Sequence, residues 1–238
     1  MSLPIYLALT NHDGGITLPR KPTQDCGRRQ VIYGPHEVCN HLYMVRSGRV
    51  LICDYFGDSG SIVTRIVGPN GLFGEACLIA ASGPGESAVV LDQARVMCWS
   101  RTEVEQEIAR DPRLGMALMG HFVRRCTELN ARLEGLAFRK TPERVMLGLL
   151  QLAESLGTPA GGGLHLRLAP LTHQTIAEYV GTSREIVTSH MSEFRRAGML
   201  QYSRKHIDVN VVLMRETLRR QGIELSPAEV PMARTAFQ

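Results

Sequence analysis

The chain has 238 residues, 44% of them hydrophobic, which suits one large domain or two ordinary ones and argues against wholesale disorder. Its formal net charge of +4 is unevenly distributed, because residues 1–138 carry 14 basic and 14 acidic side chains whereas residues 139–220 carry 12 and 7. A local basic surplus favours attraction to phosphate, although a solvated basic face would give the same counts.

The ends and the cysteines of the chain give a first expectation about its location. No basic segment precedes an apolar stretch at the N-terminus, and no apolar run approaches the ~20 residues of a membrane span. We therefore expect a cytoplasmic protein without a membrane partner. Its six scattered cysteines should be thiols in that compartment.

Residues 1–27 are polar and rich in turn formers, and we predict an N-terminal arm with little structure. Short apolar runs separated by turn residues follow. The runs are His41–Val45, Val50–Cys53, Ser61–Val67, Gly71–Phe73, Ser87–Leu91 and Arg95–Trp99. Ser47-Gly48 predicts a hairpin between the first two runs, and Pro69-Asn70-Gly71 predicts another turn. Strands at this spacing indicate a small jelly-roll-like β-roll.

A long helix is predicted from Asp111-Pro112 onwards, since proline suits a first helical turn. Apolar residues at spacings of three and four form a stripe on it that includes Cys126. The helix is longer than one small barrel needs, so we expect the stripe to pair with a second copy; packing on the protein's own barrel is the alternative. The predicted dimer residues are Leu114, Leu118, Phe122, Leu129, Leu133 and Leu136.

The next segment continues the helical pattern. A helix is predicted to begin with Thr141 as N-cap and Pro142 in its first turn, and to end at Gly157. A flexible loop at Thr158–Gly163 and a strand at Leu164–Leu168 should follow. Further along, Val211–Arg220 has the spacing of an amphipathic helix.

Residues 171–198 predict two short helices joined by a tight turn. Thr172 can cap the first helix, Gly181 supplies the turn, and Ser183 can cap the second helix, which Gly198 ends. The residues of the second helix expected to face inward are Ile186, Val187, Met191 and Phe194. Met199–Tyr202 and His206–Val209 then predict a two-stranded wing with Ser203-Arg204-Lys205 at its tip.

This winged helix-turn-helix has the chemistry for reading duplex DNA, although an ordinary pair of helices with a surface Arg-Glu pair is the alternative. Arg184 can fork onto guanine O6 and N7, and Glu185 can accept a hydrogen bond from cytosine N4. Hydroxyl and basic side chains around them suit phosphate contacts. The predicted DNA contacts are Thr172, His173, Thr182, Ser183, Arg184, Glu185, Thr188, Ser189, Arg195, Arg204 and Lys205.

Ser183-Arg184-Glu185 resembles the start of the recognition helix in Crp/Fnr regulators. Leu136-Ala137-Phe138 looks like that family's hinge, and Phe73-Gly74-Glu75 is similar to the glycine–glutamate turn of its cyclic-nucleotide-binding β-roll. The resemblance covers about residues 28–210. It implies a homodimeric transcription regulator of α+β class on a pseudo-palindromic site, with half-sites about one helical turn apart and RNA polymerase as a further partner.

The chain departs from the family where the signal would bind. Relatives that bind cyclic AMP hold its phosphate with an Arg-Ser pair, but Glu86 precedes Ser87 here, and a carboxylate repels phosphate. Leu129 and Asn130 align with the Thr-Ser pair that meets adenine. We expect an effector other than cyclic AMP, of unknown identity. The expected effector-pocket residues are Phe73, Gly74, Glu75, Glu86, Ser87, Arg125, Leu129 and Asn130.

Other chemistries have weaker support. Cys26 stands alone in the N-terminal segment, so an iron–sulfur cluster is not expected. His36, Cys39 and His41 could hold a metal or haem, but strand or loop roles explain them better, and we expect no cofactor. Cys77 and Cys98 fit small buried hydrophobes better than redox sensors. No nucleophile motif or carboxylate dyad suggests an enzyme.

Two alternatives within the same fold stay open. One is a redox-, metal- or haem-sensing regulator, and the other is a regulator that binds DNA constitutively and is controlled by its abundance. A further departure, Ser189 where many relatives have arginine, leaves the outer base pairs unassigned. The expected division is an arm at 1–27, a sensor β-roll at 28–110, a dimer helix and hinge at 111–138, a DNA-binding domain at 139–210 and a helix with tail at 211–238.

Overall fold

The computed structural model describes residues 6–9, 16–35, 37–57, 60–79, 85–161 and 164–225. The chain divides into two units, Met1–Leu133 and Glu134–Gln238. The described residues of the first unit form the strands β1 (Tyr6–Leu9), β2 (Ile16–Pro19), β3 (Gln24–Cys26), β4 (Val31–Tyr33), β5 (His41–Ser47), β6 (Val50–Tyr55), β7 (Ser61–Val67), β8 (Leu72–Phe73), β9 (Glu86–Val90) and β10 (Ala94–Ser100).

These strands form the predicted β-roll. One four-stranded antiparallel sheet has the order β3-β10-β5-β8, the other has the order β4-β9-β6-β7, and β1 pairs with β2. Alternate side chains of both four-stranded sheets are apolar and meet in one core, with Met44, Trp99 and Ile52 fully buried. Burial of that surface provides the main driving force for this unit.

The hairpin predicted at Ser47-Gly48 is wrong. Strand β5 pairs with β10 and β8, whereas β6 pairs with β7 and β9, so this turn carries the chain from one sheet to the other. Gly48 has φ +78°, and a Cβ there would lie 2.2 Å from the Gln93 carbonyl oxygen. Glycine is therefore required, but for a crossover.

The N-terminal arm is also more ordered than predicted. Strand β3 pairs with β10, and Leu18 is fully buried in the core of the β-roll. The Trp99 indole N–H donates to the Pro19 carbonyl oxygen at 2.9 Å. Residues 18–26 thus belong to the β-roll, because Leu18 and Cys26 are buried in its core and β3 extends one of its sheets.

Helices α1 (Arg101–Arg110) and α2 (Pro112–Phe138) follow the strands. The predicted dimer stripe on α2 divides between two environments, since Leu114 and Leu118 are buried in the β-roll core and Phe122 packs partly against it. Those three side chains therefore serve the protein's own core, as the alternative expectation had it. Leu129, Leu133 and Leu136 are exposed.

The second unit comprises α3 (Thr141–Leu156), β11 (Thr158–Ala160), β12 (His165–Leu168), α4 (His173–Val180), α5 (Arg184–Arg196), β13 (Leu200–Tyr202), β14 (Ile207–Asn210) and α6 (Val211–Arg220). Its antiparallel sheet has the order β11-β12-β14-β13. Two predictions need correction here. Thr158–Ala160 is a strand paired with β12 rather than a flexible loop, and Lys140, not Thr141, is the N-cap of α3.

Helix α6 packs against the rest of this unit. Met214 and Leu218 are fully buried, and Arg215 forms an ion pair with Glu154 of α3 at 2.6 Å. The predicted domain boundary at residue 210 therefore separates α6 from the unit against which it packs. Among the described residues, no helix combines the length and hydropathy needed to cross a membrane.

Candidate nucleic-acid interface

The ends of α4 and α5 are set by the residues that the sequence singled out. The Thr172 hydroxyl oxygen accepts from the Thr175 N–H at 3.0 Å, and the Ser183 hydroxyl oxygen accepts from the Ile186 N–H at 3.4 Å. Gly181 closes α4 in the left-handed conformation with φ +76°. These caps satisfy backbone groups that the helix ends would leave unpaired, and so they set where α4 and α5 begin.

The inner face of α5 is narrower than predicted. Val187 and Met191 are fully buried and Phe194 nearly so, but 40% of Ile186 is exposed. The prediction that Ile186 faces inward is wrong. Successive residues of a helix are about 100° apart, so Ile186 and its neighbour Val187 cannot both point at the core.

The first two turns of α5 present a polar surface. Arg184, Glu185, Thr188 and Ser189 are all exposed. The Thr188 hydroxyl donates to the Arg184 carbonyl oxygen at 2.8 Å and also lies 2.8 Å from Nδ1 of His173 on α4. Within the described residues no ion pair occupies Arg184, so its guanidinium is free to meet a partner.

A cavity of about 450 Å³ lies between the N-terminal end of α4, α5 and the wing. The residues that line it are Leu171, Thr172, His173, Gln174, Arg184, Met191, Tyr202, Ser203 and Ile207. The His173 ring meets Tyr202 edge-on at 5.8 Å, and the Arg195 guanidinium lies over the same Tyr202 ring at 5.2 Å. One aromatic side chain of the wing thus positions a predicted contact on each helix.

The wing holds its basic tip by short-range hydrogen bonds. The Ser203 hydroxyl oxygen accepts from the backbone N–H groups of Lys205 at 3.1 Å and His206 at 3.3 Å. Arg204 and Lys205 are exposed, and no ion pair in the described part of the chain involves them. Strand β14 lies between β12 and β13, so the wing continues a larger sheet.

Two ionisable side chains of this surface have shifted pKa values. Partial burial, and then the nearby Arg184 charge, lower the pKa of His173, which favours the neutral form of the ring. The pKa of Glu185 is lowered by a hydrogen bond from its own backbone N–H and by another from Ser183. Glu185 is therefore an ionised acceptor, as contact with a cytosine amino group requires.

The sequence reasoning missed two residues of this surface. Gln174 lines the cavity beside Arg184, and its amide donates to Glu178 at 2.8 Å. Its place in the first turn of α4 could have suggested a phosphate contact. Ile186 adds an exposed apolar side chain beside the polar residues of α5. Taken together, these residues form an exposed polar helix surface flanked by hydrogen-bond donors of α4 and of the wing.

Three of the predicted effector residues, Glu75, Glu86 and Arg125, lie near one another in the first unit. Arg65 donates two hydrogen bonds, of 2.8 and 3.0 Å, to the Glu75 carboxylate, and Nε2 of His121 lies 3.2 Å from the same carboxylate. Burial alone would oppose ionisation, but Arg65 and His121 hold the pKa of Glu75 well below its usual range. This carboxylate is already paired within the protein.

Glu86 lies near this ion pair. It accepts a hydrogen bond of 2.7 Å from the Tyr33 hydroxyl, and burial raises the pKa of Glu86, with Glu75 adding repulsion. Arg125 is near both carboxylates, and burial followed by the Arg65 charge lowers its pKa. The hydroxyl oxygen of Ser87 is buried without a hydrogen-bond partner.

The other predicted effector residues have different environments. Phe73 is fully buried and stacks on Tyr43 with ring centroids 4.9 Å apart, so it belongs to the core. Gly74 adopts φ +80°, where a Cβ would lie 2.5 Å from the His41 carbonyl oxygen. Leu129 and Asn130 are exposed on α2. The structure thus places Glu75, Glu86 and Arg125 near one another, whereas Leu129 and Asn130 are exposed to solvent.

The histidines and cysteines considered for metal or redox chemistry differ in their environments. No group of three His, Cys, Asp or Glu side chains in the described part of the chain could hold a metal ion, and His36 lies outside the described residues. Cys77 is buried, and this burial is the main cause that raises its pKa to about 12. Cys98 is half-buried rather than fully buried as expected, and Cys126 is exposed.

Both units of the chain are similar to known protein families. Residues 143–221 match the Crp-like helix-turn-helix domain family, and residues 24–111 match the cyclic nucleotide-binding domain family. A CRP-like cAMP-activated global transcriptional regulator of Mycobacterium tuberculosis is 31% identical over 183 residues, which cover 77% of this chain and 81% of that relative.

The chain belongs to the Crp/Fnr family of transcription regulators. A global nitrogen regulator of Nostoc is 26% identical over 82% of this Crp/Fnr protein and 86% of the relative. The crystal structure of a CRP/FNR-family regulator from Thermus thermophilus has TM-score 0.66 and 25% identity over 83% of this chain and 98% of its own. FixK2 from Bradyrhizobium japonicum shares the fold, with TM-score 0.69, 21% identity and coverage of 87% and 98%.

Proposed function

We propose that this Crp/Fnr protein is a homodimeric regulator that recognises a specific pseudo-palindromic DNA site. The observation that carries the proposal is the exposed N-terminal end of α5, where Arg184 has no ion-pair partner among the described residues and Glu185 is ionised. Recognition helices of this kind enter the major groove by their N-terminal residues, and twofold dimers read half-sites about one helical turn apart.

Each predicted contact has a proposed role. Arg184 and Glu185 read base edges, with Thr188 and Ser189 beside them in the groove. The remaining predicted residues bind the DNA backbone: Thr172, His173, Thr182, Ser183, Arg195, Arg204 and Lys205. The basic surplus of residues 139–220 supports this assignment because phosphate contacts supply most of the non-specific affinity. RNA polymerase is the proposed protein partner, and the cytoplasm is the proposed location.

Recovery of genomic fragments bound by the purified full-length protein tests the proposal. We expect an inverted repeat whose half-sites are centred about 10–10.5 base pairs, or a multiple of that, apart. The matched control is the Arg184→Ala variant, which should recover fragments without a shared consensus. A wild-type consensus that is a single unrepeated element would contradict binding by a twofold dimer.

We further propose that cyclic AMP is not the effector. A cyclic phosphate would meet the Glu86 carboxylate, and Arg65 already occupies the Glu75 carboxylate that lies beside it. Calorimetric titration with cyclic AMP and with cyclic dinucleotides tests this. We expect no binding of cyclic AMP to the wild type, with Glu86→Arg as the variant that restores a cation. Saturable cyclic AMP binding by the wild type would refute the assignment.

Constitutive DNA binding is the second candidate, and the internal ion pairs of the β-roll favour it. Because Arg65, His121 and Tyr33 already pair with the two carboxylates, neither carboxylate needs an added ligand as its partner. The DNA affinity of ligand-free protein measures this directly. Nanomolar affinity for the recovered site, unchanged by nucleotides, metals or oxidants, would support control by abundance; a large gain with one of them would support sensing.

A further inference from the structure

The cavity between α4, α5 and the wing has the chemistry of an anion site. The side chains of its lining that can always donate a hydrogen bond are Thr172, Gln174, Arg184, Tyr202 and Ser203. His173 lies among them, and the cavity wall, as the structure describes it, contains no aspartate or glutamate. A phosphate group carries a negative charge and accepts hydrogen bonds, so it would meet donors and a cation here but no like charge.

His173 is fixed on one side by a hydrogen bond to α5. Nδ1 of its ring lies 2.8 Å from the Thr188 hydroxyl oxygen, and that hydroxyl also lies 2.8 Å from the Arg184 carbonyl oxygen. A hydroxyl group has one hydrogen, and a carbonyl oxygen can only accept, so Thr188 donates to Arg184. The two contacts can therefore exist together only if Nδ1 of His173 donates to Thr188.

The other ring nitrogen of His173, Nε2, is then a bare acceptor in the neutral ring. A neutral imidazole has a single N–H group, and the contact with Thr188 uses it. In the part of the chain that the structure describes, no hydrogen bond or ion pair involves Nε2 of His173. A bare lone pair repels phosphate oxygens, whereas a protonated Nε2 donates a charge-assisted hydrogen bond to them. Contact with phosphate through Nε2 thus requires the imidazolium.

The orientation of the His173 ring is set from two sides. The ring is half-buried and meets the Tyr202 ring of the wing edge-on, with centroids 5.8 Å apart, while the Arg195 guanidinium lies over that same tyrosine at 5.2 Å. Turning the imidazole over would place a ring carbon against the Thr188 oxygen and lose the hydrogen bond. Nδ1 is therefore the nitrogen committed to the protein, and Nε2 is the one available to a partner.

The groups that face His173 favour its neutral form in the free protein. Partial burial lowers the pKa of the ring, and the positive charge of Arg184 on α5 lowers it further. The wing contributes the uncharged Tyr202, and no carboxylate of the described residues opposes these two causes. A bound phosphate would reverse the balance, because an opposite charge within hydrogen-bonding distance favours the charged form and raises the pKa.

We propose that His173 binds a DNA phosphate through Nε2 as an imidazolium, so that each half-site takes up one proton when the protein binds DNA. The inference rests on the proposed function, in which the first helix of the helix-turn-helix crosses the DNA backbone. It adds a protonation state, and hence a dependence on pH, to the phosphate contact predicted for His173. Thr188 acts as the positioning residue, because its hydroxyl decides which ring nitrogen carries the proton of the neutral form.

Affinity for the DNA site should consequently fall as the pH rises. While the free ring is protonated, Kd is constant; as the pH rises between the pKa of the free ring and the higher pKa of the bound ring, binding must draw a proton from solution and Kd increases. The pKa of Glu185 is lowered, so this neighbour stays ionised throughout. With two half-sites per dimer, we expect Kd to increase at least ~10-fold between pH 6 and pH 8.

Fluorescence anisotropy of the full-length protein with the recovered duplex, at constant ionic strength, measures this profile. His173→Arg keeps a cation at every pH and should bind at pH 8 about as tightly as at pH 6. His173→Gln keeps a neutral donor and should also have a flat profile, at lower affinity than His173→Arg. A wild-type profile that is flat, or one that persists in His173→Gln, would overturn the inference.

Two other histidines of the same unit provide matched controls. His190 pairs with Glu193 at 2.9 Å, and His206 of the wing lies 3.5 Å from Asp208. Both titrate in the same pH range as an ordinary histidine, so they are the other possible sources of a pH dependence in this unit. His190→Gln and His206→Gln should keep the wild-type profile, and loss of the profile in either of them alone would assign the proton elsewhere and refute the role of His173.

Calorimetry counts the protons directly and tests Thr188. The heat of DNA binding, measured at pH 7 in buffers of different ionisation enthalpy, should show proton uptake by the wild type and none by His173→Gln. Thr188→Val frees Nδ1, so a neutral ring can carry its hydrogen on Nε2, and the uptake should decrease; Thr188→Ser keeps the hydroxyl and should retain it. Equal uptake by the valine and serine variants would show that Thr188 does not set the tautomer.

The outcomes separate this inference from the proposed function. Specific binding of an inverted repeat without proton uptake would overturn the role of the His173 imidazolium and leave the proposed function standing. Failure to prefer any DNA sequence at every pH from 6 to 8 would overturn the proposed function, and the proton-linked contact with it.

Discussion

Replacing Arg184 with alanine removes the side chain that we propose reads a guanine base. Arg184 is exposed at the first residue of α5, and among the described residues it forms no ion pair, so the substitution breaks no internal salt bridge of its guanidinium. A bidentate arginine–guanine contact contributes about 1–3 kcal/mol of discrimination. Two half-sites make this about 2–6 kcal/mol per dimer, or about 30-fold to 25,000-fold in the preference for specific over scrambled DNA.

Fluorescence anisotropy with specific and scrambled duplexes at several salt concentrations measures that preference. Arg184→Ala should lose it while keeping most of its salt-sensitive non-specific affinity. Arg204→Ala, at the wing tip, is the matched control: it should weaken binding to both duplexes equally and lower the salt slope by about 0.9 for each phosphate that is no longer neutralised. Full discrimination by Arg184→Ala would refute the assignment of Arg184 as a base reader.

Three further predictions address the cap of α4, the β-roll carboxylates and the apolar side chain of α5. Thr172→Ala should destabilise the DNA-binding unit by about 1 kcal/mol in thermal unfolding, whereas Thr172→Ser should not, because only alanine removes the capping oxygen. Since burial raises the pKa of Glu86, the stability of the wild type falls as the pH rises from the ordinary range of a glutamate through that raised pKa. Glu86→Gln should therefore have a higher Tm than the wild type at pH 7.5 and an equal Tm at pH 4. An equal Tm at both pH values would contradict the burial argument. Ile186 should contact a thymine methyl group. Replacing thymine by uracil in the half-site should therefore weaken wild-type binding about fourfold, which corresponds to the ~0.8 kcal/mol of one buried methyl group. The same replacement should leave DNA binding by Ile186→Ala unaffected.

The parts of the structure that local chemistry controls could be predicted from the sequence. Thr172, Gly181 and Ser183 each act on backbone groups within three or four residues, so the ends of α4 and α5 are visible in the sequence itself. The long helix begins at Pro112 for the same reason. The apolar runs between turns also predict strands β5 to β10, but they do not predict β1 to β4.

Features that depend on distant partners could not be predicted in this way. The pattern around Gly48 is that of a hairpin, and only the pairing of β5 with β10 shows that the chain changes sheets there. Nothing local to Arg65 indicates that it pairs with Glu75 across the β-roll. The same holds for Leu114 and Leu118, whose spacing fits both a partner helix and the protein's own core.

Helix α6 has a consequence for how the DNA-binding part can be isolated. Its side chains Met214 and Leu218 are fully buried, Ile223 is nearly so, and Arg215 is tied to Glu154 of α3. A fragment that stops after the wing would expose this apolar surface and lack the ion pair. The shortest DNA-binding fragment that folds on its own should thus extend to about residue 223. Proteolysis that spares α6 should leave this fragment soluble.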